Sequence, residues 1–383
     1  MELRERALLI SSMAHAYCHA CMLSVPPLVL LLRDEFTLSF VMVSLIITCS
    51  GLLFGLGAIP FGRLSDRYGP VAVNMVGIGI SCAACTGMYL APSAPAMAAS
   101  LLALGVGAST YHPSAFTLIS CSYDSCVGRA FGINGLIGSA GQIGAPVLSA
   151  FVAYTAGWRP VFGVLLVIGV AMLAILSTVR HLDKDVRREP APVRTRLRLD
   201  RDIALLFGIT MLGGLAYRGV TTMLPSYATI MFGKNTLEAG SMVTIMLAAG
   251  GVSQVVAGEI HDRFGARLPL AVTCIASLAS IGIVMAGPYQ LFIGGLVAFG
   301  FAYFAVNLYT NALMGHLTPP EQRGMYYGIM FFARFGLGFL APFLIGAVTE
   351  AYSIGYLFHV VGAFQLAYVL VALALLRSTR QVP

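Results

Sequence analysis

The chain has very little charge. Only 10% of its 383 residues are Asp, Glu, Lys or Arg, whereas a soluble globular protein carries about 25%. Hydrophobic residues make up 58% of the sequence, and no stretch between the apolar runs is long enough to fold as a soluble domain. The composition therefore excludes a soluble globular protein and predicts an integral membrane protein that lies in the lipid bilayer.

Carboxylates are missing from the interior of the apolar runs. All 16 acidic residues fall in loops or near the ends of these runs. The eight cysteines show no disulfide framework, and most lie where a free cysteine acts as a small buried hydrophobe. No nucleophile–base pair or cofactor motif is visible. These absences argue against an enzyme and against a resident cofactor.

Twelve apolar runs are long enough to cross a bilayer as helices, because a membrane helix needs roughly 20 apolar residues. They cover residues 8–32, 39–61, 71–90, 96–118, 130–156, 160–180, 202–226, 236–258, 269–287, 289–316, 325–350 and 355–376. The prediction is an all-α membrane protein with twelve transmembrane helices.

A short phrase occurs twice in the chain. The segment from Gly62 to Gly69 reappears from Gly258 to Gly265, an offset of 258 − 62 = 196 residues. A second phrase repeats at the same offset: Gly128, Gly132, Ile133, Ala145 and Pro146 match Gly324, Gly328, Ile329, Ala341 and Pro342. Two matches at one spacing indicate an internal duplication, which is typical of secondary transporters. We expect two six-helix halves, 1–180 and 202–383, joined by a charged cytoplasmic linker at 181–201.

The net charge of +7 reflects membrane orientation rather than nucleic-acid binding. With a cytoplasmic N-terminus, 18 Lys and Arg residues fall on the inner side and three, Arg33, Arg159 and Lys234, fall on the outer side. This bias follows the positive-inside rule. It predicts a multi-pass protein of the cell (inner) membrane with both termini in the cytoplasm. We expect a monomer.

The first phrase resembles the signature of the major facilitator superfamily between helices 2 and 3. Gly62, Leu64, Asp66, Arg67 and Gly69 match it, whereas Pro70 stands where a basic residue is usual. The second, weaker copy lies between helices 8 and 9. The resemblance implies twelve helices that transport solute by alternating access, and an aspartate that caps a neighbouring helix and closes the cytoplasmic side. The expected gating residues are Gly62, Asp66, Arg67, Gly69, Asp262 and Arg263.

Two further motifs resemble branches of this family. The segment from Gly138 to Pro146, with small residues at every third position, is similar to a glycine–proline motif of family antiporters, although Ala145 replaces a glycine. Paired histidines in helix 1 and the Tyr111-His112-Pro113 element resemble the fosmidomycin-resistance type of drug exporter. Together they favour an antiporter that works in efflux. The glycines also allow close helix packing, whatever the direction of transport.

Two arginines, Arg218 and Arg334, fall inside apolar runs that hold no acidic residue at the same depth. An arginine in the middle of a membrane helix costs roughly 2.5–3.5 kcal/mol on insertion scales. The predicted central cavity is therefore net positive, and an anionic substrate is the expected partner. Bonding to backbone carbonyls, or an arginine that reaches out to the interface, is the alternative.

Three histidines also lie inside apolar runs. His15 and His19 share a face of helix 1, and His112 lies in helix 4. Histidine can carry protons where no carboxylate is available, so these three are the candidates for proton coupling; simple packing is the alternative. A metal site at His15, Cys18 and His19 lacks a fourth fixed ligand, and we predict no metal.

Helix 10 carries a polar stripe. Tyr303, Asn307 and Asn311 follow one another at steps of four, with Thr310 beside them. Such a stripe suits a hydrated substrate pathway, although interhelical packing would also explain it. Gln142 in helix 5 is a lesser substrate-binding candidate. Pro26 and Pro27 are expected to kink helix 1.

The sequence thus predicts a secondary transporter for a small organic anion or anionic amphipathic compound, coupled to protons and directed outward. The alternatives are a multidrug efflux antiporter for uncharged or varied drugs, or an anion exchanger or uniporter without proton coupling. A receptor would not need two equal repeats with the same motif at both cytoplasmic loops.

Overall fold

A computed structural model describes residues 3–123, 127–183, 199–319 and 322–378. Fifteen α-helices fill this part of the chain. They are α1 Leu3–Leu23, α2 Val29–Glu35, α3 Phe40–Tyr68, α4 Pro70–Leu90, α5 Ala94–Ser109, α6 Tyr111–Ser122, α7 Val127–Ala156, α8 Trp158–Ser177, α9 Arg201–Phe232, α10 Thr236–Phe264, α11 Arg267–Ala286, α12 Tyr289–Leu317, α13 Arg323–Phe331, α14 Leu340–Ala351 and α15 Leu357–Ser378. Most of the predicted linker, residues 184–198, lies outside the described residues.

Within the described residues, twelve helical spans are long and apolar enough to cross a membrane, as predicted. Three of them consist of two shorter helices. The first span breaks at Pro26 and Pro27, where a 3₁₀ turn joins α1 to α2, because a proline inside a helix removes one hydrogen bond. The fourth span joins α5 to α6 at Thr110, and the eleventh joins α13 to α14 through an irregular segment.

Local sequence explains where several helices begin and end. The hydroxyl of Ser39 accepts from the Met42 N–H at the start of α3, and the Asp200 carboxylate accepts from the Ile203 N–H at the start of α9. Such caps supply acceptors for N–H groups that have no partner within the helix. Gly233, in the left-handed conformation, ends α9.

The chain forms two compact units. One is Met1–Val193 with Asn235–Gly240, and the other is Arg194–Lys234 with Ser241–Pro383. In the first unit α1 packs along α7, and α4 packs along α5 and α8. In the second unit α9 packs along α15, and α11 packs along α12 and α15. In each unit, therefore, the first helix packs against a helix that comes later in the same repeat.

The second unit has a large apolar core towards one end of its helices. Residues from α9, α11, α12, α13 and α15 share it, among them the buried Leu206, Cys274, Tyr309, Tyr326 and Tyr368. This packing holds α12 and the irregular eleventh span in place. Both elements carry predicted substrate-binding side chains.

Candidate functional site

The three predicted proton-coupling histidines meet in the first unit. Nε2 of His19 lies 3.1 Å from Nε2 of His15, and the two ring centroids are 4.8 Å apart. The His112 ring, from α6, lies 5.1 Å from His15 and 5.7 Å from His19. All three side chains are partly buried. The structure thus brings together residues from two separate spans.

Asn134 of α7 joins this group, although it is not among the site residues predicted from the sequence. Its backbone carbonyl lies 3.0 Å from Nδ1 of His15. Its side-chain amide donates to the Tyr111 hydroxyl at 2.7 Å and to the Ser12 hydroxyl at 3.4 Å. Tyr111 in turn stacks on the His15 ring at 4.7 Å. Its signal in the sequence is an asparagine inside an apolar run, a position where polar residues are rare.

The same three histidines are the described residues that come nearest to a metal-binding group. Their ligand nitrogens all lie within 4.8 Å of one another. Cys18, which the sequence-based metal hypothesis included, instead donates its thiol to the Ala108 carbonyl. A metal ion would need the nitrogen lone pair of His15 that the contact with His19 already uses. The group is therefore better described as an imidazole network in which His15 and His19 are hydrogen-bonded and the His112 ring packs against both.

Gly138 explains how the His15 ring fits between α1 and α7. A Cβ atom at this position would overlap Nδ1, Cγ and Cε1 of His15. One turn later, a Cβ atom on Gly141 would overlap the backbone of Ala16. The glycine motif of α7 therefore serves close packing, and its first glycine makes room for the imidazole.

In the second unit, Arg334 is buried with uncharged partners. Its side chain is 8% exposed, and Nη2 lies 3.4 Å from both the Thr310 hydroxyl and the Asn311 side-chain oxygen. Its Nε has no hydrogen-bond partner among the described residues. Because a guanidinium stays protonated in proteins, this site holds a positive charge whose hydrogen-bond partners in the described part of the chain are neutral oxygens.

Arg334 lies on a π-helical turn, Phe332–Gly336, between α13 and a 3₁₀ turn, Leu337–Phe339. Such turns often mark functional positions in a helix. The backbone of Arg334 packs against Gly214 of α9, where a Cβ atom would overlap the Arg334 carbonyl. The irregular turn and the glycine together fix where the guanidinium points.

Arg218 is equally buried, at 4% exposure, but its surroundings are aromatic. Its guanidinium carbon lies 4.2 Å from the Phe339 ring centroid and 5.2 Å from that of Phe335. Tyr217 lies at 5.3 Å and stacks flat on Tyr303 with 4.3 Å between centroids. Cation–π contacts of this kind stabilise a buried cation. Arg218 therefore has aromatic partners where Arg334 has hydroxyl and amide oxygens.

The polar stripe of α12 is divided between burial and exposure. Tyr303 is buried, Asn307 is partly buried and Asn311 is exposed. Asn311 and the neighbouring Thr310 contact Arg334, whereas Tyr303 faces Tyr217. Gln142, on α7, is partly buried. The stripe therefore lies beside both arginines. Thr310 and Asn311 contact Arg334 directly, and Tyr303 stacks on Tyr217, which lies against Arg218.

The predicted gating residues of the first copy lie at the end of α3. Asp66 and Arg67 are exposed, and the Arg67 guanidinium lies over the Tyr68 ring. A different carboxylate caps the next helix: Asp183 accepts from the N–H groups of Val71 and Ala72 at 2.8 and 2.9 Å. Within this unit, the carboxylate that caps the start of α4 is therefore that of Asp183.

Two glycines of the same motif have different surroundings. Gly69 has φ of +99° and lies against the Asp183 side chain, so only glycine fits there without strain. A Cβ atom on Gly62 would make an ordinary contact with Pro113. In the second copy, Asp262 is exposed beside His261, and Arg263 pairs with Glu259 on the same helix.

Comparison with known proteins identifies the class of protein. A family model described as Major Facilitator Superfamily matches residues 8–342 and 232–383. The chain therefore belongs to the Major Facilitator Superfamily, and it is a membrane transporter, as its sequence motifs predicted. The twelve helices are the fold of this family.

Individual relatives are distant but cover most of the chain. The fosmidomycin resistance protein of Escherichia coli is 24% identical over 91% of this chain and 86% of its own. The nitrite extrusion protein of Bacillus subtilis is 25% identical over 82% of this chain and 80% of its own. A crystal structure of a bacterial homologue of the human lysosomal transporter Spinster superimposes with a TM-score of 0.81 at 14% identity, covering 99% of this chain and 98% of that one. This likeness shows the shared fold.

Proposed function

We propose that this protein is a proton-coupled secondary transporter that exports a small organic anion, or an amphipathic compound with an anionic group. The observation that carries the proposal is the buried Arg334, which neutral side chains alone contact among the described residues. Desolvating a charge is costly unless an opposite charge compensates it. A substrate carboxylate or phosphate would supply that charge.

The geometry of the arginine favours an oxyanion over a simple halide. A guanidinium presents donors in a planar fork that matches the two oxygens of a carboxylate or phosphate. Nε of Arg334, together with one of its Nη atoms, can form such a fork. Arg218, with Tyr217 and Tyr303, is proposed to add a second positive charge and aromatic surface for the organic part of the substrate, with Asn307, Asn311 and Gln142 as further polar contacts.

The names of two relatives support the direction and the charge. One confers resistance to fosmidomycin, and another extrudes nitrite, which is an anion. Both names fit outward transport. We extend outward transport and an anionic substrate to this chain as part of the proposal. We also propose that the protein lies in the cell membrane with both termini in the cytoplasm and that it functions as a monomer.

Proton coupling is assigned to the imidazole network of His15, His19 and His112. Protons need a titratable group along their path, and histidine changes charge near physiological pH. The hydrogen bond between His15 and His19 can pass a proton from one ring to the other. We further propose that Asp66, Arg67, Asp262 and Arg263, with Gly62 and Gly69, form the cytoplasmic gate.

Transport by the purified protein in liposomes tests the proposal. The probes are a small organic carboxylate or phosphonate and its neutral amide or ester of similar shape. We expect a pH difference to drive accumulation of the anion, and an ionophore that collapses this difference to abolish it. Accumulation of the neutral analogue instead would indicate a multidrug antiporter. Equal anion flux with and without the gradient would indicate an exchanger or uniporter.

A further inference from the structure

The Tyr303 hydroxyl, like Nε of Arg334, is a buried donor of the second unit that makes no hydrogen bond. Tyr303 is 3% exposed, and its oxygen has no hydrogen-bond partner in the described part of the chain. Asn307, one turn later on α12, lies beside the hydroxyl without forming a hydrogen bond of normal geometry. A tyrosine hydroxyl usually has a partner when it is buried. This donor therefore needs an explanation.

Helix α9 brings Tyr303 and Arg334 into the same region of the second unit. The Tyr303 ring stacks on Tyr217 with 4.3 Å between centroids. Gly214, three residues before Tyr217, packs against the backbone of Arg334, and residues three apart lie on the same face of a helix. The charge of the Arg334 guanidinium also acts on the Tyr303 hydroxyl. Two buried donors from different spans, the hydroxyl and Nε of Arg334, thus lie in one region with no acceptor of this unit bound to either.

We propose that the Tyr303 hydroxyl donates a hydrogen bond to the transported anion and makes the site selective for a tetrahedral oxyanion, such as a sulfonate or a phosphate ester, over a carboxylate. The inference rests on the proposed function, because Arg334 must bind the anion first. The fork of Nε and one Nη of Arg334 takes two oxygens of the anion. A carboxylate has then used both of its oxygens, whereas a tetrahedral group keeps a third oxygen for Tyr303.

Packing alone does not explain a tyrosine at this position. The Tyr303 ring contacts the rings of Tyr217, Phe299 and Phe304, and a phenylalanine would make the same ring contacts. The hydroxyl adds a buried polar group that no side chain satisfies, and such a group lowers stability. A bound oxyanion would supply the missing acceptor. A role in binding therefore accounts for the hydroxyl, where packing would favour phenylalanine.

Two anions of equal charge and different shape test the proposal. Benzenesulfonate and benzoate share an aromatic ring, and both are monoanions at neutral pH, so they differ mainly in the geometry of the anionic group. Binding isotherms give the ratio of sulfonate affinity to carboxylate affinity for the purified protein and for two variants. Tyr303→Phe keeps the ring that stacks on Tyr217 and loses only the hydroxyl. Tyr309→Phe, which changes a tyrosine in the apolar core of the same unit, is the matched control on α12.

We expect Tyr303→Phe to lower this affinity ratio at least about tenfold, because only the sulfonate loses a hydrogen bond to a charged group. Tyr309→Phe should keep the ratio of the parent protein. Without ligand, the melting temperature of Tyr303→Phe should be unchanged or higher, since the variant has no unsatisfied hydroxyl at this position.

The possible failures can be told apart. The same affinity ratio in Tyr303→Phe and in the parent would overturn the inference, and a lower melting temperature with it would assign the hydroxyl a structural role. Neutral benzenesulfonamide and benzamide serve as the reference for both anions. If the parent binds neither anion better than these amides, the proposed function fails and the inference fails with it. If it binds both anions and only the ratio is insensitive to Tyr303, the proposed function stands alone.

Discussion

The His15 imidazole occupies the space that a side chain at Gly138 would fill. The internal repeat gives this contact a counterpart in the second unit. Gly138 corresponds to Arg334, because 334 − 138 = 196 is the repeat offset. There the large residue is on the later span, and its backbone packs against a glycine of the first helix, Gly214. In each unit, a chemically active side chain thus belongs to a residue at the crossing of the first helix and a later span. That residue is on the first helix in one unit and on the later span in the other.

Gly138→Ala should displace His15 while leaving every titratable group in the chain. Overpacking a helix contact costs typically about 1–3 kcal/mol, so we expect lower thermal stability and a loss of gradient-driven accumulation. Gly135→Ala is the control on the same helix, since a Cβ atom there meets nothing within 4 Å. It should keep coupling and leave stability unchanged or slightly raised. Equal behaviour of the two variants in liposomes would mean that the position of His15 is unimportant.

Gly214→Ala should disturb the π-helical turn that carries Arg334. The new Cβ atom would overlap the Arg334 carbonyl, a backbone atom that cannot move as a side chain does. We expect a loss of about 1–3 kcal/mol in stability and weaker binding of anions. Gly208→Ala, on the same helix, makes only an ordinary contact at 3.5 Å from Val371 and is the control. Unfolding in detergent and anion binding measure the two effects, and full anion affinity in Gly214→Ala would contradict this account of the turn.

Much of this architecture was readable from the sequence, because long apolar runs and a repeat at one offset are strong signals. The twelve spans and the family follow from them. The candidate residues were found for the same reason: His15 and Arg334 stand out as polar groups in a bilayer. The break in the first span was also visible, because Pro26 and Pro27 cannot continue a helix.

Contacts between distant segments were not readable. Asn134 is visible as a polar residue inside an apolar run, but its contact with His15, 119 positions away, comes only from the fold. Asp183 falls at the edge of a charged linker, and nothing local shows that it caps α4. The π-helical turn at Arg334 packs against Gly214, 120 positions earlier in the chain. Each of these features arises from tertiary packing, which local periodicity does not record.

Asp183→Ala and Asp66→Asn should separate folding from gating. Asp183 accepts two backbone N–H groups at the start of α4, and loss of such a cap costs about 0.5–2 kcal/mol. We therefore expect a lower melting temperature for Asp183→Ala. Asp66 is exposed, so Asp66→Asn should melt like the parent protein but transport more slowly. Unchanged turnover of Asp66→Asn at matched protein density in liposomes would remove the aspartate from the proposed gate.

Arg334 provides the most direct test of the substrate class. Arg334→Lys keeps a positive charge but loses the planar fork. A hydrogen bond to a charged group contributes about 1.5–3 kcal/mol, so anion affinity should fall roughly tenfold to a hundredfold. Arg334→Ala should lower it further. Arg377→Ala, in the last turn of α15, is the control and should bind anions like the parent.

The decisive comparison is between an anion and its neutral analogue on the same variants. If Arg334 binds the substrate charge, its loss weakens anion binding far more than binding of a neutral molecule of the same shape. If the guanidinium instead holds α12 and the π-helical turn together through Thr310 and Asn311, both affinities fall equally and thermal stability falls with them. Binding isotherms for the two probes, with melting curves for each variant, distinguish these outcomes. A transported substrate that proved to be cationic would exclude the anion proposal altogether.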